Sequence, residues 1–137
     1  MHDILEGVPV ERLMRVDPPT CASDCSVSRL VHDHIMRSDD QAFPVLDDGR
    51  LAGLVTLEDV RKVARDAWET TTVATIMTPT EKLIVVTAGE DAAEALDKLV
   101  RSDVRQLPVL RDDQLLGLLR RRDIIKWLQL QGQDVKR

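Results

Sequence analysis

The feature that most constrains this chain is that it repeats itself. Phe43 to Val63, FPVLDDGRLAGLVTLEDVRKV, lies over Leu107 to Trp127, LPVLRDDQLLGLLRRRDIIKW, without a gap. The match continues upstream through Arg37-Ser38-Asp39 over Arg101-Ser102-Asp103, and Val8 to Met14 echoes Val73 to Met77 with the offset shifted by one residue. Self-similarity on this scale indicates two copies of one supersecondary unit, neither of which buries its apolar face alone. The halves are therefore expected to pack on each other. A length of 137 residues suits two small repeats sharing a core.

Both copies read alike. A Met-ending helical turn is followed by a short extended stretch, Pro18 to Cys21 or Leu83 to Thr87. An amphipathic helix is predicted over Val27 to Arg37 and over Glu90 to Ser102, where Leu30, Val31 and Ile35, or Ala92, Ala95, Leu96 and Leu99, recur at helical spacing. Two short apolar strands come next, joined by Asp47-Asp48-Gly49 or Arg111-Asp112-Asp113, a hairpin signal. A last helix begins near Leu57 or Arg121. The predicted order is βαββα, twice.

Composition narrows the function. One Phe, two Trp and no Tyr leave little material for stacking bases, and a net charge of −5 argues against a phosphate-backbone footprint, so no nucleic-acid partner is expected. Two cysteines, Cys21 and Cys25, make no disulfide framework and are spaced unlike a zinc knuckle. With no signal peptide and no apolar run of bilayer length, the chain reads as soluble and cytoplasmic, without membrane contact of its own. His32 and His34 lie two apart, on opposed faces of a helix, and cannot share one ion. No nucleophile-and-base arrangement, Gly-rich phosphate loop or HExxH motif occurs, so neither a metal nor catalysis is expected within this chain.

The tandem βαββα order, the entry Met77-Thr78-Pro79, the Phe-Pro-Val and Leu-Pro-Val strands and the Gly53-x-x-Thr56-x-x-Asp59 segment together resemble a pair of cystathionine β-synthase (CBS) domains, the Bateman module. The resemblance covers Val8 to Leu130 and implies an α/β (α+β) fold, with the two repeats packed about a pseudo-twofold axis. Residues 1–68 are then the first repeat with its lead-in, 69–131 the second, and 132–137 a polar tail. A narrower stretch, GRLAGLVTLEDVRKV with Trp68 and RQLPVLRDDQLLGLLRRRDIIKWLQ, is similar to the regulatory tail of site-two-type intramembrane zinc proteases, whose zinc site would lie outside this chain, at the cytoplasmic face of a membrane.

By this resemblance the clefts between repeats hold an adenosyl ligand, AMP, ADP, ATP or S-adenosylmethionine, and the module is a homodimer that signals to an attached or associated effector. Thr56 and Asp59 would contact the ribose, as would Asp123 in the second copy. Phe43 with Pro44, and Leu107 with Pro108, would wall the adenine. Read from the residues alone, Thr56-x-x-Asp59 is equally a helix-capping box, Phe43 and Leu107 are core strand residues, and prolines belong at a strand start or edge. The second copy replaces the threonine by Arg120, followed by Arg121 and Arg122, three cations opposing the dipole of the helix they open. Three readings of Arg120 are open: it pairs with Asp123 and withdraws it from ribose, it holds a ligand's phosphates, or it belongs to a basic face that is solvated or ion-paired to a dimer partner's Asp or Glu. At the level of the whole chain, the alternative to a sensor is a ligand-free module for assembly or dimerisation.

Overall fold

The computed structural model describes residues 2–131, so the tail at 132–137 lies outside the described residues. In chain order the elements are α1 (His2–Leu5), β1 (Arg15–Val16), β2 (Cys21–Ala22), α2 (Val27–Asp33), β3 (Ala42–Asp47), β4 (Arg50–Thr56), α3 (Leu57–Arg61), α4 (Val73–Ile76), β5 (Thr78–Pro79), β6 (Val86–Thr87), α5 (Ala92–Ser102), β7 (Gln106–Arg111), β8 (Gln114–Arg120) and α6 (Arg121–Leu130), with short 3-10 turns between. The βαββα order recurs as β2-α2-β3-β4-α3 and β6-α5-β7-β8-α6.

The chain forms two compact units, and their boundaries are not those of the sequence repeats. One is continuous, Pro18–Leu83; the other joins Met1–Asp17 to Ile84–Arg137. Each unit therefore contains the lead-in of the other repeat. In the continuous unit β2 runs parallel to β3, β3 and β4 form an antiparallel hairpin, and β5 closes on the far side of β4. In the discontinuous unit β6 runs parallel to β7, β7 and β8 form the hairpin, and β1 closes antiparallel on β8.

Hydrogen bonds fix the lead-ins in the same way twice. Val73 donates to the Cys25 carbonyl at 2.8 Å and Val27 to that of Thr71 at 2.8 Å, while Val10 donates to Glu90 at 2.9 Å and Ala92 to Val8 at 2.8 Å. Each closing strand crosses a glycine of the central strand. A Cβ at Gly53 would stand 2.5 Å from the Thr78 carbonyl oxygen and 2.7 Å from Met77 Sδ; at Gly117 it would meet the Arg15 carbonyl oxygen and Met14 Sδ. The repeated glycine and the repeated methionine are thus two halves of one contact.

The cores are aliphatic, as the scarcity of aromatics requires. Leu30, Val31, Val45, Val55, Val60 and Val73 surround Phe43 in one unit; Leu5, Val10, Leu99, Leu107, Leu119, Ile124 and Leu128 fill the other. Burial of such side chains is the main stabilising term, about 1.5–3 kcal/mol each relative to exposure. Helix starts are capped: Ser26 Oγ accepts from Arg29 N at 3.1 Å, and Asp91 Oδ1 from Ala93 N at 2.9 Å. The predicted helix over Val27 to Arg37 is shorter, because its α-helical part stops at Asp33. His34 leaves the helical region (φ −123°, ψ −57°), and Arg37 Nε and Ser38 Oγ take the His32 and His34 carbonyls, leaving a 3-10 turn over Ile35–Arg37. The second helix begins at Ala92 rather than Glu90, behind its Asp91 cap.

The two hairpins share register and bulge, and differ at one turn residue. Asp48 and Gly49 carry φ of 50° and 81°, Asp112 and Asp113 carry 49° and 66°, the doubly left-handed turn that two-residue hairpins favour. Asp113 occupies the place that Gly49 fills without a Cβ. Asp113→Gly should raise unfolding stability by about 1 kcal/mol, seen as a higher urea midpoint at unchanged slope; a lower midpoint would mean that the Asp113 side chain itself secures the turn.

Candidate functional site

β4 delivers Thr56 in extended conformation (φ −121°, ψ 165°) to the start of α3, so its side chain and that of Asp59 come together. Asp59 N donates to Thr56 Oγ1 at 3.2 Å, and Thr56 N donates to Asp59 Oδ2 at 2.9 Å. The capping box is therefore formed, and both side chains are half-buried. Among the described residues, Asp59 Oδ1 accepts no hydrogen bond. Capping occupies one oxygen and leaves the other available.

The second copy has the same backbone and different chemistry. Arg120 enters α6 at φ −113° and ψ 148°, and its guanidinium grips Asp123 with Nε to Oδ2 and Nη2 to Oδ1, both at 2.8 Å. The Arg120 N–H adds a longer bond to Oδ2 at 3.3 Å. Half of the capping box survives; the half that needed a hydroxyl acceptor is lost, since a guanidinium can only donate. Only 19% of the Arg120 side chain and 9% of the Asp123 side chain are exposed, so this pair is screened little by solvent. Of the three readings of Arg120, the ion pair with Asp123 is the one the structure contains.

Arg121 also answers its apparent conflict with the helix dipole. Its Nε donates to the Val104 carbonyl at 3.0 Å and its Nη2 to that of Leu99 at 3.1 Å, so its charge sits at the carboxyl end of α5, where a cation is favoured. Arg122 is exposed. Opposition of three cations to one helix start is thus reduced to one solvated charge.

The remaining candidates sit in the hairpin strands and near α2. Phe43 is fully buried opposite Val55, with the His34 ring 6.1 Å away between centroids, and Leu107 is buried opposite Leu119. Pro44 and Pro108 are buried, third in their strands, one residue short of the parallel pairing that starts at Val45 and Val109. The missing proline N–H therefore costs no bond to β2 or β6. Cys21 and Cys25 are free thiols; burial, and then the neighbouring Cys25, push the Cys21 thiol up to about 12, and burial chiefly raises that of Cys25. Both stay protonated at neutral pH and are poor nucleophiles. Among the described residues no group of three His, Cys, Asp or Glu could hold a metal, and no helix is long and apolar enough to cross a membrane.

Lys98 was not legible as a partner in the sequence. Its ammonium lies 2.9 and 3.1 Å from the two oxygens of Glu90 and 3.3 Å from the Val85 carbonyl, tying α5 to the strand before it.

Comparison with known proteins places this geometry. The family model described as the CBS domain matches residues 10–66 and again 73–130. The uncharacterised protein MJ1225 of Methanocaldococcus jannaschii is 27% identical over 120 residues, 88% of this chain and 42% of that protein. Inosine-5'-monophosphate dehydrogenase of Mycobacterium leprae is 35% identical over 115 residues, 82% of this chain and 21% of the enzyme. The chain thus spans less than half the length of either relative. Among solved structures, the CBS domain pair of protein MJ0100, in complex with 5-methylthioadenosine and S-adenosyl-L-methionine, superposes with a TM-score of 0.77 at 22% identity, covering 90% of this chain and 98% of that one. The narrower resemblance to an intramembrane protease tail is not borne out by these relatives. With the family model matched twice in tandem and the βαββα units in place, the chain belongs to the CBS-domain family and carries a pair of its domains.

Proposed function

We propose that this CBS pair is a regulatory module that binds an adenosyl ligand, AMP, ADP, ATP or S-adenosylmethionine, at Thr56 and Asp59, and passes its presence to an attached or associated effector. The observation that carries the reading is Asp59: a half-buried carboxylate, positioned by its own capping box, with one oxygen left to accept a ribose hydroxyl. An ionised acceptor makes the stronger hydrogen bond to a neutral donor. The adenosyl ligands in the MJ0100 pair support the choice of ligand class. For such a ligand to regulate anything, it must bind one arrangement of the module more tightly than another. The reading goes with a homodimer in the cytoplasm, to which the exposed Val100, Ile125 and Leu130 would contribute apolar surface.

A thermal-shift series against AMP, ADP, ATP and S-adenosylmethionine, with GTP as control, tests it. An adenosyl compound at one hundred times its Kd should stabilise the fold by about 2.7 kcal/mol, a rise of roughly several degrees for a chain of this size. The matching 2'-deoxy nucleotide should bind about ten- to a hundredfold more weakly, the worth of one hydrogen bond to a charged group. No rise with any of the four would leave Thr56 and Asp59 as a helix cap and favour the ligand-free assembly module.

A further inference from the structure

Asp59 and Asp123 hold the same place in the two repeats, yet their lone pairs are spent differently. Asp59 accepts one hydrogen bond, from the backbone, on Oδ2. Both oxygens of Asp123 face the guanidinium of Arg120, at 2.8 Å each, in a pair whose carboxylate is nine-tenths buried. A guanidinium presents two parallel N–H donors in a rigid fork. The two hydroxyls of a ribose present two donors to a carboxylate in much the same way.

We propose that Arg120 is a built-in occupant of the second nucleoside position: it satisfies Asp123 as a ribose diol would, so that each chain carries one working site and one closed by its own side chain. The inference rests on the reading of Thr56 and Asp59 given above and deepens it by fixing how many ligands bind. Arg120 is tethered three residues from Asp123, so a ligand competes against a partner that never diffuses away. A ligand that took Asp123 would also have to break a largely buried ion pair. The departure from the threonine of the first copy thereby has a function, namely asymmetry between two otherwise matching repeats.

Reversing it requires one substitution. The backbone at Arg120 (φ −113°, ψ 148°) is nearly that at Thr56 (φ −121°, ψ 165°), extended geometry that a β-branched residue favours. Arg120→Thr restores a hydroxyl able to accept the Asp123 N–H, as Thr56 accepts that of Asp59. Isothermal titration calorimetry with AMP, and separately with S-adenosylmethionine, reads the outcome as stoichiometry. The wild-type chain should bind one equivalent, lost in Asp59→Ala. Arg120→Thr should bind two, and Arg120→Thr with Asp123→Ala should return to one; Arg120→Ser replaces Arg120→Thr throughout if the threonine variant does not fold. One equivalent in both wild type and Arg120→Thr, or two in the wild type, overturns the closed site while leaving the nucleotide reading intact. No binding of either probe by wild type or variants overturns that reading, and this inference with it.

Discussion

Gly53→Ala should lower the unfolding free energy by about 3 kcal/mol, the upper range for forcing atoms into a filled space. The added Cβ would stand 2.5 Å from the carbonyl oxygen of Thr78, 2.7 Å from Met77 Sδ and 3.1 Å from Met77 Cγ. A methionine tail can swing aside cheaply; a backbone carbonyl cannot, because β5 is held there by its pairing of Pro79 with Gly53 and Thr78 with Leu54. The strand must therefore lift off β4. Gly117→Ala should behave alike, since its Cβ meets the Arg15 carbonyl oxygen with Met14 Sδ at 3.0 Å. Urea titration measures both. Shortening the methionine, as in Gly53→Ala with Met77→Ala, should not restore stability, because the carbonyl clash remains and a cavity is added. Full recovery in that double variant would show that the sulfur, not the strand, was the obstacle.

Val10→Asp should cost about 3–5 kcal/mol, the penalty for an uncompensated buried charge, and its damage should appear far away in sequence. Val10 is fully buried among Leu5, Leu99, Leu107 and Leu119, residues that, Leu5 apart, come from the second repeat. Each compact unit holds one of the two tryptophans: Trp68 packs with the core around Phe43, Trp127 with the core around Val10. In single-tryptophan versions of the variant, the transition reported by Trp127 should move to lower urea at least as far as that reported by Trp68. A shift confined to Trp68 would contradict the assignment of the lead-in to the second repeat's unit.

The repeat made most of the local structure legible. Its alternating apolar runs predicted both hairpins, its turn residues placed Gly49 and Asp113 at the tips, and the apolar spacing from Ala92 to Leu99 predicted α5. Thr56 and Asp59 were readable as a capping box because that motif is local, and Arg120 was readable as a partner of Asp123 because residues three apart on a helix are neighbours. What the sequence did not disclose depends on long-range geometry. A two-residue strand such as β1 or β5 has too few side chains to say which sheet it joins, so the exchange of lead-ins was invisible. Arg121 appeared as a misplaced charge because the carboxyl end of α5, nineteen residues upstream at Ser102, is brought to it only by the fold. The early end of α2 reflects competition of Arg37 and Ser38 for helix carbonyls, which no apolar periodicity records.

The exchange of lead-ins also sets an order of events during synthesis. The unit over Pro18–Leu83 is continuous and has all its parts once residue 83 has left the ribosome. The residues before it are made ahead of it but have nothing to dock on, since Val8 pairs with Ala92 and Glu11 with Arg111, and the ninety-nine residues between the latter two must all emerge beforehand. Until then Leu5, Val10 and Leu13 remain in solvent as an unburied apolar segment, the kind of surface that invites premature association. The lead-in that is translated ahead of the continuous unit is thus secured only after it, and a pause in translation before residue 110 would hold that apolar segment exposed.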